Sequence, residues 1–214
     1  AGYCDGEKLL AITTAQEREL LQRVGVINEG GKEFFSRCVV FPLQDRHGRV
    51  AGFYGRSTLP HAKVPHRFCA GSKTGLFYPQ AARGVQEVFL VEGVLDGLAV
   101  YQAGFPNVMA MGGTQGFNAA LLEHLRAEKV SELALCLDGD EAGRAAAQTL
   151  EAKLKTEGFR VRTVSLPEGQ DPLSWMTGSS QLEIKARLAL PQPNIQLPHR
   201  NYKKLSSAQG KLKV

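Results

Sequence analysis

The stretch LALCLDGDEAGRAAAQTLEAKLKTEG, residues 133–158, decides how the chain is read. LALCL is a near-continuous apolar run, which suits a strand buried on both faces of a parallel sheet. EAGRAAAQTLEAKLKTEG is Ala-rich, has helical periodicity and closes on Gly158, which suits a helix with a glycine stop. Between them stand Asp138 and Asp140, separated only by Gly139. Two carboxylates this close repel each other and need a cation, a proton or open water.

The same rhythm recurs on either side. EVFLVE (87–92) predicts a strand and LDGLAVYQA (95–103) a helix stopped by Gly104. NVMAM (107–111) predicts a strand, and FNAALLEHLRAEK (117–129) a helix with Phe117, Leu121, Leu122 and Leu125 on one face. RVRTVSL (160–166) predicts a further strand. This β-α-β-α-β-α-β order predicts a mainly parallel sheet flanked by helices. Upstream, AQERELLQRV (15–24) predicts a short amphipathic helix. CVVFPL and GRVAGFYG predict a hairpin turned by QDRHG. Residues 57–84 are irregular, with extended pieces around Phe68 and Leu76–Tyr78. The expected division is 1–84, a smaller basic α+β subdomain; 85–175, the parallel-sheet domain; 176–190, a helical segment; and 191–214, a basic linker or tail, with Trp175 expected to pack against the sheet.

In an open α/β sheet, ligands bind beyond the carboxyl ends of the strands. The predicted strands deliver to that edge Glu92-Gly93 with Asp96 a turn later, GGTQG (112–116), Asp138-Gly139-Asp140, and PEGQDP (167–172) with Asp171. Hard oxygen ligands of this kind, Glu92, Asp138, Asp140 and Asp171, suit Mg²⁺ or Mn²⁺, with more than one ion expected. Taken singly, Asp140 is also a good N-cap and Asp96 a good first-turn acid. Asp138 fits neither role, because it precedes the cap and ends an apolar strand. His61 and His66 lack a partnered Cys and read as surface or phosphate-contacting residues.

The chain has 214 residues and a net charge of +5, unevenly spread. Residues 37–83 carry 8 bases (among them Arg37, Arg56, Arg67 and Lys73) against Asp45 alone, whereas residues 84–190 carry 14 acids and 9 bases. A basic segment beside an acidic one suits an enzyme that holds phosphates on one side and cations on the other. Cys4, Cys38, Cys69 and Cys136 form no C-x-x-C pair, so neither a zinc site in this chain nor a disulfide framework is expected, and a reduced, cytoplasmic setting is the simple reading. No apolar run reaches the roughly 18 residues of a membrane span, and no signal peptide is visible. The chain opens on Ala1 rather than Met, as a piece of a longer protein would.

VEGVLD (91–96), followed by LDGDEAGR (137–144), resembles the TOPRIM domain of primases, topoisomerases and some nucleases. Gly113-Thr114 and LPEGQDP (166–172) resemble the primase version. SRCVVFPLQDRHGRVAGFYGR (36–56) resembles the basic subdomain that precedes TOPRIM in DnaG-type primases, and CAGSKTGLFYP (69–79) the segment joining the two. The resemblance covers about residues 33–175. DnaG-type sequences often place another acid two residues after Asp171; here it is Leu173. The zinc ribbon and helicase-binding regions of that family have no counterpart here.

The resemblance implies template-directed synthesis of short RNA primers on single-stranded DNA from ribonucleoside triphosphates, by a monomer that meets a replicative helicase through other regions. It implies Asp138 and Asp140 as principal metal ligands, Asp171 as an auxiliary, Glu92 as ligand or general base, and Asp96 completing the cluster. Nucleotide or nucleic acid would meet Arg37, Arg56, Arg67, Lys73, Gly93, Gly113, Thr114 and Arg144. A nuclease could use the same carboxylates to direct water at a phosphodiester. A topoisomerase would need a nucleophilic Tyr in a companion domain. A DxD phosphatase would place its motif on the first strand. A non-catalytic binding module is the remaining alternative.

Overall fold

The computed structural model describes residues 1–69, 75–112 and 116–189. The first sheet is antiparallel. It comprises β1 (Gly2–Cys4), β2 (Cys38–Gln44), β3 (Val50–Ser57) and β4 (His66–Phe68), in that order. The β2–β3 hairpin turns where the sequence predicts it. Asp45 Oδ1 accepts from the backbone N–H groups of His47 and Arg49, and Gly48 supplies a left-handed φ of 81°. Two short helices precede the hairpin, α1 (Lys8–Ile12) and α2 (Ala15–Arg23). Thr14 and Glu17 form a capping box that starts α2.

The second sheet is wholly parallel and built by alternation. β5 (Glu87–Val91), α3 (Val94–Gln102), β6 (Val108–Ala110), α4 (Ala119–Ala127), β7 (Glu132–Leu135), α5 (Glu141–Thr156) and β8 (Arg160–Thr163) follow one another. The strand order is β6-β5-β7-β8. The chain therefore steps outward from β5 to β6, then crosses back over β5 to β7. Strand order reverses between β5 and β7, and a doubly wound sheet opens a crevice at such a point. α6 (Pro172–Gly178) and α7 (Gln181–Ala189) close the described chain.

Helix boundaries follow local chemistry. α4 begins two residues later than its apolar stripe suggests, because the Asn118 side chain accepts from Leu121 N–H and caps there. Phe117 is still buried, from the loop before the helix. β1, α1 and α6 were not foreseen. The first two are only 3 and 5 residues long, too short for a period to show.

The two sheets share apolar packing. Phe41 and Tyr54 of the first sheet stack at 6.0 Å and belong to the same buried cluster as Phe89, Val91 and Val94 of the second. Trp175 joins that cluster, only 2% exposed. Residues 76 and 77 stitch the sheets, with Leu76 bridged to Gln44 and Phe77 to Ala110. No helix of the described chain is long and apolar enough to cross a membrane.

Candidate active site at the strand-order reversal

Glu92 follows β5 and Asp138 follows β7, so the two neighbouring strands on either side of the reversal each end in a carboxylate. A cleft of about 400 Å³ opens there. Its acidic wall holds Glu92, Asp96, Asp138 and Asp171; its other wall holds Tyr54, Arg56, His66 and Phe68 from the first sheet. The site thus lies where the acidic and basic parts of the chain meet.

The Asp138 turn is held from three sides. Gly139 N–H donates to the Gln170 carbonyl at 2.8 Å, Gly169 N–H donates to the Gly139 carbonyl, and Arg144 Nη1 donates to that carbonyl at 2.5 Å. Arg144 also pairs with Glu168. A Cβ at Gly139 would lie 2.2 Å from the Pro167 carbonyl oxygen, and one at Gly143 would lie 2.2 Å from the Asp138 carbonyl oxygen. Both glycines of DGDEAG are thereby explained: the 167–170 loop and the first turn of α5 press directly on the acidic turn.

The carboxylates sit in costly surroundings. Burial, and the charge of Asp138 next, push the Glu92 carboxyl up to about 7. Its Oε1 is buried with no hydrogen-bond partner. Burial raises Asp96 to about 6, against the opposing effect of Gly93 N–H, which donates to it at 3.0 Å. Leu173 N–H also donates to Asp96, so the residue standing where DnaG-type sequences carry an acid ties α6 to α3 through its backbone. Asp138 is raised by burial and by the charges of Asp171 and Asp140. An orphaned buried carboxylate oxygen among repelling neighbours fits a divalent cation.

The predicted residues separate into groups. Asp171 lines the cleft while also capping α6, its Oδ1 accepting from Ser174 N–H at 2.6 Å. Asp140 is exposed, does not line the cleft and is turned to cap α5, accepting from Gly143 N–H at 2.7 Å. Among the described residues no three His, Cys, Asp or Glu side chains gather closely enough to hold one ion. An ion here would be held by one or two carboxylates with water completing its shell, a usual habit of Mg²⁺. Of the residues expected to meet nucleotide or nucleic acid, Arg56 and Gly93 line the cleft. Arg67 instead donates to the Phe34 carbonyl at 2.6 Å, fixing the loop before β2. Arg37 is exposed at the head of β2 with a left-handed φ of 57°. Lys73, Gly113 and Thr114 lie outside the described residues. Tyr54 was not foreseen as part of the site, and its apolar flanks gave no sign of the hydroxyl's partner, His66 Nδ1 at 2.8 Å.

The Toprim-like family model matches residues 89–174. The DNA primase of Pseudomonas aeruginosa is 34% identical over 178 residues, which cover 75% of this chain and 26% of that protein. The DNA primase of Escherichia coli K12 is 31% identical over 183 residues, covering 78% of this chain and 31% of that protein. This chain is a relative of the DnaG-type primase catalytic core and carries its Toprim-like domain. The solved DNA primase domain from Pseudomonas aeruginosa superposes with a TM-score of 0.75 at 28% identity, over 89% of this chain and 65% of that one. A DnaG primase catalytic domain solved bound to single-stranded DNA gives 0.71 at 27% identity, over 88% and 66%. The chain thus spans between about a quarter and a third of the curated relatives' length. The Toprim-like match brackets the parallel sheet from β5 through the start of α6, and with it every carboxylate of the cleft.

Proposed function

We propose that this chain is the catalytic core of a DNA primase, a nucleotidyltransferase that joins ribonucleotides on a single-stranded DNA template. The observation that carries this reading is the cleft itself, where desolvated carboxylates of the Toprim-like sheet face Arg56 of the basic sheet. The kinship with DNA primases supports it.

Chain elongation needs a 3′-hydroxyl to attack an α-phosphate with pyrophosphate leaving. Divalent cations, Mg²⁺ or Mn²⁺, would neutralise the phosphates and acidify the attacking hydroxyl. Glu92 and Asp138 would hold them from adjacent strand ends, and Asp171 would assist from the cap of α6. Glu92 is a ligand or, alternatively, the general base that would accept the hydroxyl proton; where it holds no ion, its value near 7 suits a base. Asp96, fixed by two backbone N–H groups, would orient water or a ligand. Arg56 would meet polyphosphate from the opposite wall by sequence-independent contact. Arg144, with Glu168, would hold the Asp138 turn in register. The division near residue 84 follows this split of labour: the upstream part supplies cation side chains for the polyanion, and the Toprim-like part supplies the carboxylates. Contact with a helicase would fall to other regions of a longer protein.

The test is incorporation of labelled ribonucleotides on single-stranded DNA with Mg²⁺ or Mn²⁺, comparing the wild type with Asp138→Asn/Asp140→Asn. Asn is as good a cap as Asp, so the fold is retained in the variant. Template-dependent product lost in the variant supports a primase core. Metal-dependent shortening of the DNA without product would make the chain a nuclease. Binding of DNA without turnover would make it a non-catalytic module.

A further inference from the structure

The wall opposite the carboxylates holds an array of which the cleft chemistry above uses only Arg56. Arg56 and His66 are direct cross-strand partners of β3 and β4, and Tyr54 and Phe68 are the next such pair on the same face. Arg56 Nη1 lies 2.5 Å from His66 Nε2, and Tyr54 Oη lies 2.8 Å from His66 Nδ1. Guanidinium only donates, so Nε2 must accept. A neutral ring then carries its proton on Nδ1 and donates it to the Tyr54 oxygen. Tyr54 is itself buried and packed against Phe68, with ring centroids 5.1 Å apart. The imidazole is therefore fixed at one nitrogen by a rigid phenol and presents the other to Arg56.

We propose that His66 is a positioning residue for Arg56, a neutral acceptor that holds the guanidinium on its own wall of the cleft, free to meet a polyphosphate. The need for such a device is electrostatic. Glu92, Asp96 and Asp138 share the cleft with Arg56, and a long, flexible cation beside them would fold onto a carboxylate, cancelling both charges. Among the described residues no carboxylate is ion-paired with Arg56. A carboxylate in place of His66 would hold the guanidinium too but would neutralise it. An uncharged acceptor orients it and leaves its charge for the ligand. Burial and the nearby Arg56 charge hold the imidazole pKa below the usual histidine range, in keeping with a neutral ring. The inference rests on the proposed function for the identity of the anion and on the geometry alone for the role of His66.

The experiment measures binding of inorganic tripolyphosphate with Mg²⁺ by calorimetry, which requires no polymerase activity. The variants are His66→Leu, His66→Gln, Arg56→Ala and the double variant His66→Leu/Arg56→Ala, each checked for unchanged thermal unfolding. His66→Leu is expected to weaken binding by about tenfold, the worth of one hydrogen bond to a charged group. Gln, whose Oε1 can take the place of Nε2, should recover most of that loss. In the Arg56→Ala background, His66→Leu should add nothing, because its effect passes through the lost guanidinium. Histidine ¹⁵N shifts should show a protonated Nδ1 and an unprotonated Nε2 in the free wild type. Additive losses would mean that His66 contacts the anion itself and would overturn the proposal. So would binding indifferent to Arg56, or the opposite tautomer. Absence of primer synthesis by the wild type, with its tripolyphosphate binding and the pattern above intact, would count against the primase reading and leave this role of His66 standing.

Discussion

At the scale of single residues, Glu92 and Asp138 work against the folded state when no cation is bound. Glu92 has an ordinary value near 4.5 and is raised to about 7 by burial and by Asp138. The folded chain therefore binds this proton more tightly than the unfolded chain, and stability is lost as pH rises from about 4.5 to about 7. Glu92→Gln removes that loss. Without divalent metal, the variant should match the wild type near pH 4.5 and exceed it by about 1–2 kcal/mol near pH 7.5, once solvent screening is allowed for. Chemical denaturation at the two pH values checks this, and a wild type equally stable or more stable at pH 7.5 would show that the carboxylate is not strained. Asp171 has two roles that one pair of substitutions separates. Asp171→Ala should cost about 1 kcal/mol by uncapping α6, whereas Asp171→Asn keeps the cap acceptor. Reduced nucleotide incorporation by the Asn variant, at unchanged melting temperature, would assign the lost charge to the site rather than to the fold.

At the scale of elements, the decisive feature is how closely the 167–170 loop and α5 press on the turn after β7. Gly139→Ala would drive a Cβ to 2.2 Å from a backbone oxygen that cannot swing aside. It should destabilise the protein by about 2–4 kcal/mol and weaken metal binding by displacing Asp138, both measurable by denaturation and calorimetry. A fully stable Gly139→Ala would mean the loop is free to yield. The parallel strands and their helices were legible in the sequence because buried runs such as VFLV and LALCL are hard to read otherwise. The convergence of Glu92, Asp138 and Asp171 was legible for the same reason, since strand ends meet at one edge. Asp140 was harder to place. A DxD at a strand–helix junction offers one acid to the ligand edge and one to the helix cap, and only the φ/ψ of the turn decides which faces the cleft. Arg67 was misleading because charge runs carry no information on direction: its guanidinium turned inward to a carbonyl. The Tyr54–His66–Arg56 array depends on register between β3 and β4, which joins residues far apart in sequence through an irregular loop.

At the scale of the whole molecule, the site exists because two sheets of opposite charge share one apolar seam. Phe41 is central to that seam, stacked on Tyr54 and edge-on to Phe77 at 5.9 Å. Phe41→Ala should cost about 3–5 kcal/mol, and calorimetry should still show one cooperative transition, since both sheets lean on the same cluster. Two separated transitions would show that the sheets fold independently and that the cleft is assembled late. Carboxylates ending adjacent parallel strands would hold a divalent cation across from Arg56. The most direct measurement is Mn²⁺ binding at pH 7.5, followed by the electron spin resonance of free Mn²⁺, for the wild type and for Glu92→Gln/Asp138→Asn. Binding weakened by about tenfold or more in a variant at least as stable as the wild type is the predicted result. Equal binding by both proteins would contradict the account and move the cation away from the strand-order reversal.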